Sequence, residues 1–364
     1  MFHNFYRSFL FSVLVLGFTA CDQSSHSVEE SKRYQFEKLF DIAYTPDTET
    51  RANGWFTDAG SWMGFTIPEK KEWVNGFCGP FSLDMNRRQW LAKSAVTVGF
   101  AGFGNDLFIS DSTNYYPGEI YLSAHSANGR ISQTLHFIDA SNALLTIGTD
   151  ENKALMFTGD QWCDEMEIKT NRNFVTARHP SGEIVLLTFG PDILVQESGN
   201  NYKAVGNGSN KETQVVISFF TSDKELAAGL QKSMNILNDQ HICLLENEKR
   251  WNGYLTKVLR ADMDPEYDRI AVKSVVTLIS NWRTHRGGLL HEGVVPSHAV
   301  GYFVGFWAWD SWRFSAALAK FNPELAKNNI RAMFDYQLPD GMIVDCIYTD
   351  PSENNGRDSK PPLV

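Results

Sequence analysis

The sequence predicts a β-sandwich in its front two-thirds, followed by helical hairpins. Three observations carry this. Apolar and polar residues alternate with a period of two between turn residues over most of 34–245. The period then lengthens to that of a helix. And 364 residues exceed what most single cores use, so two domains are expected.

Residues 1–21, "MFHNFYRSFLFSVLVLGFTAC", read as an export signal. Arg7 supplies the positive flank, residues 9–18 a short apolar run, and Thr19-Ala20 small residues before Cys21. The run is too short to stay in a bilayer as a spanning helix. Small residues directly before a cysteine resemble a bacterial lipoprotein signal, so Cys21 is the expected lipidation site. A periplasmic or cell-surface protein anchored by its N-terminal lipid follows, with residues 22–33 as a polar tether. The formal net charge of −10 argues against a nucleic-acid partner, which would need clustered Lys and Arg. Cys78, Cys163, Cys243 and Cys346 allow three pairings, and none has CxxC spacing. His285, His291 and His298 match no ligand spacing and read as loop histidines. Neither metal nor cofactor is expected.

Within the expected sandwich, 34–245, "GEIYLSAHSANGRISQTLHF" is the clearest stretch. Ile120, Leu122 and Ala124 alternate with polar neighbours, Asn128-Gly129 supplies a hairpin turn, and Ile131, Leu135 and Phe137 resume the alternation. "FVTARHPSGEIVLLTF" repeats the scheme around Pro180-Ser181-Gly182. "TQVVISFF" is continuously apolar and so expected to be a central strand.

Helices follow. Ser222 and Glu225 form a capping box opening a helix through "ELAAGLQKSM". Residues 246–262 are expected as a connector helix with Trp251, Tyr254, Leu255, Val258 and Leu259 on one face. A further helix after Pro265 places Ala271, Val275, Leu278, Ile279 and Trp282 on its stripe. Another is expected from about Asp310, with Phe314, Ala317, Leu318 and Phe321 buried. The next has Asn322 as N-cap and Pro323 first, and runs to about Gln337.

The polar, glycine-rich loops between these helices carry the functional signal. With 10 Trp, 12 Tyr and 25 Phe, the chain has aromatic residues to spare for a pocket. Trp307 and Trp309 precede a helix and do not lie on its apolar stripe, and Asp310 is either an N-cap or a pocket carboxylate. "HRGGLLHEGVVPSH", "LPDGMIVDCIYTD" and "NNGRDSKPP" add charge, glycine and proline near helix ends. Indole walls with charged groups at their base suit a sugar, whose ring offers C–H faces and whose hydroxyls take charge-assisted hydrogen bonds.

"GFWAWDSWRFSAALAKFNPELAKNNIRAMFDYQ", "DGMIVDCIY" and "GRDSKPPL", in that order, resemble glycoside hydrolase family 63. That family holds mannosyl-oligosaccharide glucosidases, bacterial α-glucosidases and mannosylglycerate hydrolases, and is related to the trehalases, whose "RSQPP" looks like "RDSKPP" here. The resemblance covers roughly residues 283–364. It implies a β-sandwich followed by an (α/α)6 barrel, and hydrolysis of an α-glycosidic bond with inversion. On matching positions Trp307, Trp309 and Asp310 would hold the non-reducing sugar of a disaccharide or oligosaccharide, with Arg357, Asp358 and Lys360 at the same mouth. Inversion needs two carboxyl groups roughly 6.5–9.5 Å apart. The family's acid motif, like Glu-Ser-Gly-Trp-Asp, and its later base are missing; the nearest match, "ESGNN" at 197–201, falls in the β-rich half. No catalytic residue is therefore assigned within the chain, and the acid and base are expected beyond Val364. Residues 263–364 hold about three helices of ordinary length, so only the first helices of an incomplete barrel are expected. A truncated, inactive glycosidase is the leading reading. A non-catalytic sugar-binding surface lipoprotein is the alternative. A phosphorylase or lyase comes third, disfavoured by the Trp-Asp and "RDSKPP" pair.

Overall fold

Alternating sequence becomes sheet wherever one face can be buried, and here it builds two open sheets. The computed structural model describes residues 31–46, 54–103, 106–208 and 210–359. Cys21, Lys360, Val364 and most of the expected tether lie outside them. The larger sheet is antiparallel throughout. Its strands run in the order Glu167–Asn171, Phe174–Arg178, Ile184–Phe189, Glu212–Phe220, Asn142–Thr149, Gly129–Phe137, Glu119–Ser126 and Ile109–Tyr116. The other sheet orders Met63–Thr66, Cys78–Ser82, Ala92–Phe100, Leu155–Trp162, Tyr202–Val205 and Leu194–Glu197, with Gln89–Trp90 paired onto Cys78–Ser82.

The expected alternation holds at residue level. Ile120, Leu122 and Ala124 are buried and lie opposite Leu135, Gln133 and Ile131. The turn between these strands is Ala127-Asn128, one residue earlier than expected, and Gly129 opens the next strand at φ +140°. Aromatic rings join the sheets across one shared core: Phe157 meets Phe189 at 5.7 Å, Phe189 meets Tyr202 at 5.8 Å, and Phe65 meets Phe137 at 6.0 Å. Burying each such ring contributes roughly 1.5–3 kcal/mol.

The continuous apolar run of Glu212–Phe220 has a simple cause: both faces are covered. Helix α1, Asp223–Asn238, lies on its outer side. There Ile236 joins Leu144 and Val216, and Leu226 and Leu230 reach Ile184, Leu186 and Phe220. Ser222 Oγ caps this helix by accepting from Glu225 N–H at 3.3 Å, while the Glu225 carboxylate accepts from Thr221 N–H at 2.8 Å.

Helix α2, Gln240–Val258, starts six residues before the expected connector and joins the sheets to the helices behind. Trp251 is 1% exposed. Its indole N–H donates to Asp58 at 2.9 Å, and Arg250 adds two contacts to the same carboxylate at 2.9 and 2.7 Å. The indole lies close over Gly118, which has φ +73°; a Cβ there would stand 1.9 Å from Trp251 Nε1. Gly118→Ala is therefore expected to destabilise the fold by about 2 kcal/mol through overpacking and left-handed strain. Urea denaturation measures this, and a loss under about 0.5 kcal/mol would refute the close approach.

At the other end, the folded body already includes part of the expected tether. Arg33 is 4% exposed and pairs with buried Glu119 at 3.2 Å, and Glu119 also meets His136 at 2.9 Å.

Among the described residues α3 spans Pro265–Ser280, α4 Ala308–Leu318 and α5 Pro323–Phe334, giving five α-helices in a mostly β chain. Asp264 and Asn322 cap α3 and α5, each with proline at the start. The buried face of α3 is Val272, Val275, Val276 and Ile279, rotated from the expected stripe, so Ala271 and Leu278 are only partly buried. On α4, Ser311, Trp312, Ser315 and Leu318 are buried and Ala317 is exposed. The reason is Asn329 on α5. It donates to Ser311 O at 3.0 Å and Ser315 Oγ at 2.9 Å, and accepts from Val294 N–H at 2.9 Å. A satisfied amide thus fills part of a seam expected to be apolar.

The loop after α3 returns to the sheets through His298. Its Nδ1 donates to Asn281 Oδ1 at 2.8 Å, and its Nε2 accepts from Trp55 N–H at 3.2 Å. Burial, with the charges of Arg283 and Arg88, pushes its pKa down to about 3. A folded-state pKa below the unfolded one gives stability present above about pH 6.5 and lost as pH falls toward 3. Acidifying from pH 7 to pH 5 is expected to cost about 2 kcal/mol at this site. His298→Gln, which keeps an acceptor and cannot titrate, should flatten that dependence; an unchanged pH profile would exclude the role.

Candidate functional site

A three-stranded antiparallel sheet stands at the start of α4: Phe306–Trp307, Val344–Ile347 and Asn355–Ser359, with Val344–Ile347 in the middle. These strands come from the three separated motifs, "GFWAWD", "DGMIVDCIY" and "NNGRDSKPP". The backbone thereby sets Trp307 opposite Cys346, and Cys346 opposite Asn355. Gly305 makes the approach possible, because a Cβ there would lie 2.5 Å from Cys346 Sγ and 2.8 Å from the Tyr348 ring.

Over this sheet opens a cavity of about 340 Å³, lined by Tyr302, Trp307, Tyr348, Glu353, Asn355 and Arg357 among others. Trp307 is half-buried and forms its aromatic corner. Tyr302 and Phe303 stand against it at 5.5 and 5.6 Å between ring centroids, and Tyr302 is 70% exposed. Burial pushes the Cys346 thiol up to about 12, so sulfur is a neutral wall atom here and no thiolate nucleophile.

Three buried polar atoms at this junction have no protein partner: Trp307 Nε1, Ser311 Oγ and Asp345 Oδ1. Ser311 is fully buried and Asp345 is 5% exposed, so each unpaired atom costs about 1–3 kcal/mol unless a ligand or solvent completes it. Asp310 is the third residue of α4, and Trp307 occupies the N-cap position, so Asp310 is not a cap. Its carboxyl is held above the usual carboxylate range by burial. The Arg313 charge opposes this and the Asp345 charge adds to it, which places the two acids within each other's field.

The structure brings some of the expected site residues together and separates others. Trp307 and Arg357 line the cavity, with Arg357 exposed at its mouth. Trp309 lies in the first turn of α4, inside the helix it was expected to precede. It is 41% exposed, with the Arg313 guanidinium 4.8 Å from its ring centre, and it is not a cavity wall. Asp358 is exposed on the same strand as Arg357 but is no part of the lining. Lys360 lies outside the described residues, as does Val364, after which the catalytic acid and base were expected. Asp345, Ser311, Tyr302 and Tyr348 were not singled out from sequence. Asp345 was available within "DGMIVDCIY", where it neighbours the apolar residues of a short strand.

An indole face with carboxylate and guanidinium groups around it can grip a ring that is apolar on its C–H face and hydroxylated at its rim. No protein-family model matches the chain. Solved structures do. A bacterial glucoamylase complexed with acarbose aligns over 85% of this chain and 55% of its own, at 12% identity and TM-score 0.50. A family GH92 inverting mannosidase from Bacteroides thetaiotaomicron aligns over 84% of this chain and 48% of its own, at 11% identity and TM-score 0.53. A second GH92 glycosyl hydrolase covers 83% and 48%, at 11% identity and TM-score 0.50. The fold is glycosidase-like. The chain spans about half the length of the solved structures it matches.

Proposed function

We propose that this chain carries the β-sandwich and the first helices of the (α/α)6 barrel of an inverting, family 63-type α-glycosidase. The cavity over the three-stranded sheet holds the non-reducing sugar of an α-linked disaccharide or oligosaccharide. The carrying observation is the convergence of three separated motifs on one sheet, where Trp307 Nε1, Ser311 Oγ and Asp345 Oδ1 are buried and unpaired. In this reading Trp307 stacks on the sugar, Glu353 accepts from its hydroxyls and Arg357 donates at the mouth, while Asp310 and Asp345 lie outside the cavity lining and act through their charge. Trp309, Asp358 and Lys360 retain outer roles by resemblance alone. The neighbouring folds support the same class, since they belong to a glucoamylase and to mannosidases.

The chain holds no match to the family's acid and base motifs, so it is proposed to bind sugar without turning it over. A sugar-binding surface lipoprotein anchored through Cys21 is the second reading, favoured by the same pairing of a formed cavity with missing acid–base motifs. Calorimetric titration with α-linked glucosyl and mannosyl disaccharides, alongside a product assay, tests both. Saturable binding without product is expected. No binding of either series would overturn the sugar-site reading, and turnover would overturn the inactivity.

A further inference from the structure

Two guanidinium groups lie within each other's field where the post-α3 loop meets the sheets. Arg283 is 2% exposed. Its Nη1 donates to Ser280 O and Trp282 O, while its Nη2 has no partner. Arg88 is half-buried, with its guanidinium 5.4 Å from the Trp55 ring centre and 5.6 Å from that of Phe81, and it donates to His298 O. Among the described residues no carboxylate lies within salt-bridge distance of either arginine. The acid nearest Arg88 in sequence, Asp84 in the turn after Cys78–Ser82, is spent on Arg286 at 3.4 Å and on the N–H groups of Asn86 and Arg87.

The neighbours do not supply negative charge. His298 has one nitrogen donating and the other accepting, so it is a neutral, fully used imidazole. Trp55 is 2% exposed, and its Nε1 is another buried donor without a partner. Burial and the Arg88 charge push Arg283 down to about 9, the mark of a cation held without compensation. Such a charge costs several kcal/mol unless something neutralises it. What is left over is all donor: an Arg283 amine and an indole N–H, both buried and unpaired, with the Arg88 guanidinium beside the indole. A water molecule accepts from such a set without cancelling its charge. An anion does both. Because Arg283 and Trp55 are each almost wholly enclosed, the ligand must be small.

We propose that Arg283, Arg88 and the Trp55 indole form a binding site for a single halide ion, chloride in solution. The ion neutralises the arginine pair and ties the post-α3 loop to the sheets. The site does not depend on the sugar reading.

The test compares thermal unfolding in sodium chloride and in sodium gluconate at equal ionic strength. Chloride is expected to raise Tm by about 3 °C over gluconate at several hundred millimolar. Arg283→Met should lose that difference while unfolding in gluconate no lower than the parent, because it removes an uncompensated cation. Arg88→Met, at a partly exposed position, provides a second variant expected to lose the response. Crystals grown in bromide should show an anomalous peak beside Arg283 Nη2. Equal Tm values in the two salts, or a chloride response surviving in both variants, overturns the proposal.

Discussion

Replacing Asp58 by alanine is expected to lower the unfolding free energy by about 3–5 kcal/mol, among the largest effects available to one substitution in this chain. Asp58 is 1% exposed and takes two contacts from Arg250 and one from the Trp251 indole. Alanine would strand a mostly buried guanidinium and a buried indole N–H together. The cost is larger than the pair's own worth, because the orphaned indole N–H is enclosed and the guanidinium reaches water only in part. Asp58 lies in the segment before the first strand, and Arg250 and Trp251 lie on α2, so the damage falls on the joint between sheets and helices. The double variant Asp58→Asn/Arg250→Met removes the stranded charge and should recover part of the loss. Chemical denaturation reads both. A loss below about 1 kcal/mol for the single variant would mean that the arginine finds other partners.

Trp307→Ala is expected to weaken binding of an α-linked sugar roughly 30- to 100-fold, as for a buried aromatic anchor at the centre of a contact. The indole supplies both the stacking face and an unpaired N–H. Trp307→Phe separates the two, retaining a ring while deleting the donor, and should fall between parent and alanine variant. Trp309→Ala should cost little, because that ring is exposed beside Arg313 and outside the cavity. Calorimetry of the three variants decides the matter. Equal losses at both tryptophans would move the site onto the outer face of α4, and no loss at Trp307 would remove the site altogether.

Local signals in this chain were legible where local chemistry is decisive. Ser222 with Glu225, Pro265, and Asn322 with Pro323 each announce a helix start, because the first turn needs its orphan N–H groups capped or removed. The alternation around Ile120 and Leu135 was equally readable, since a strand puts every second residue on one face. The start of α4 was misplaced by two residues because its N-cap position holds Trp307, which makes no side-chain cap, so no local mark exists. The α3 face was misjudged because Ala271 and Val272 are both apolar, and only the neighbour packed against them chooses between the two.

For the site, aromatic content and loop position were enough to single out Trp307 and Asp310, and the family resemblance added Arg357. They could not rank Trp307 above Trp309, two residues apart at a strand-to-helix junction where the chain changes direction between them. Nor could they find Asp345 or Ser311, whose importance lies in having no partner once buried, a property that exists only after packing. The unaided sequence thus determined which segments would become strand and helix and which loops would carry aromatic and charged residues. Tertiary structure alone decided which polar atoms were left unpaired and which charges were left uncompensated, because desolvation depends on every neighbour at once and not on the order of residues along the chain.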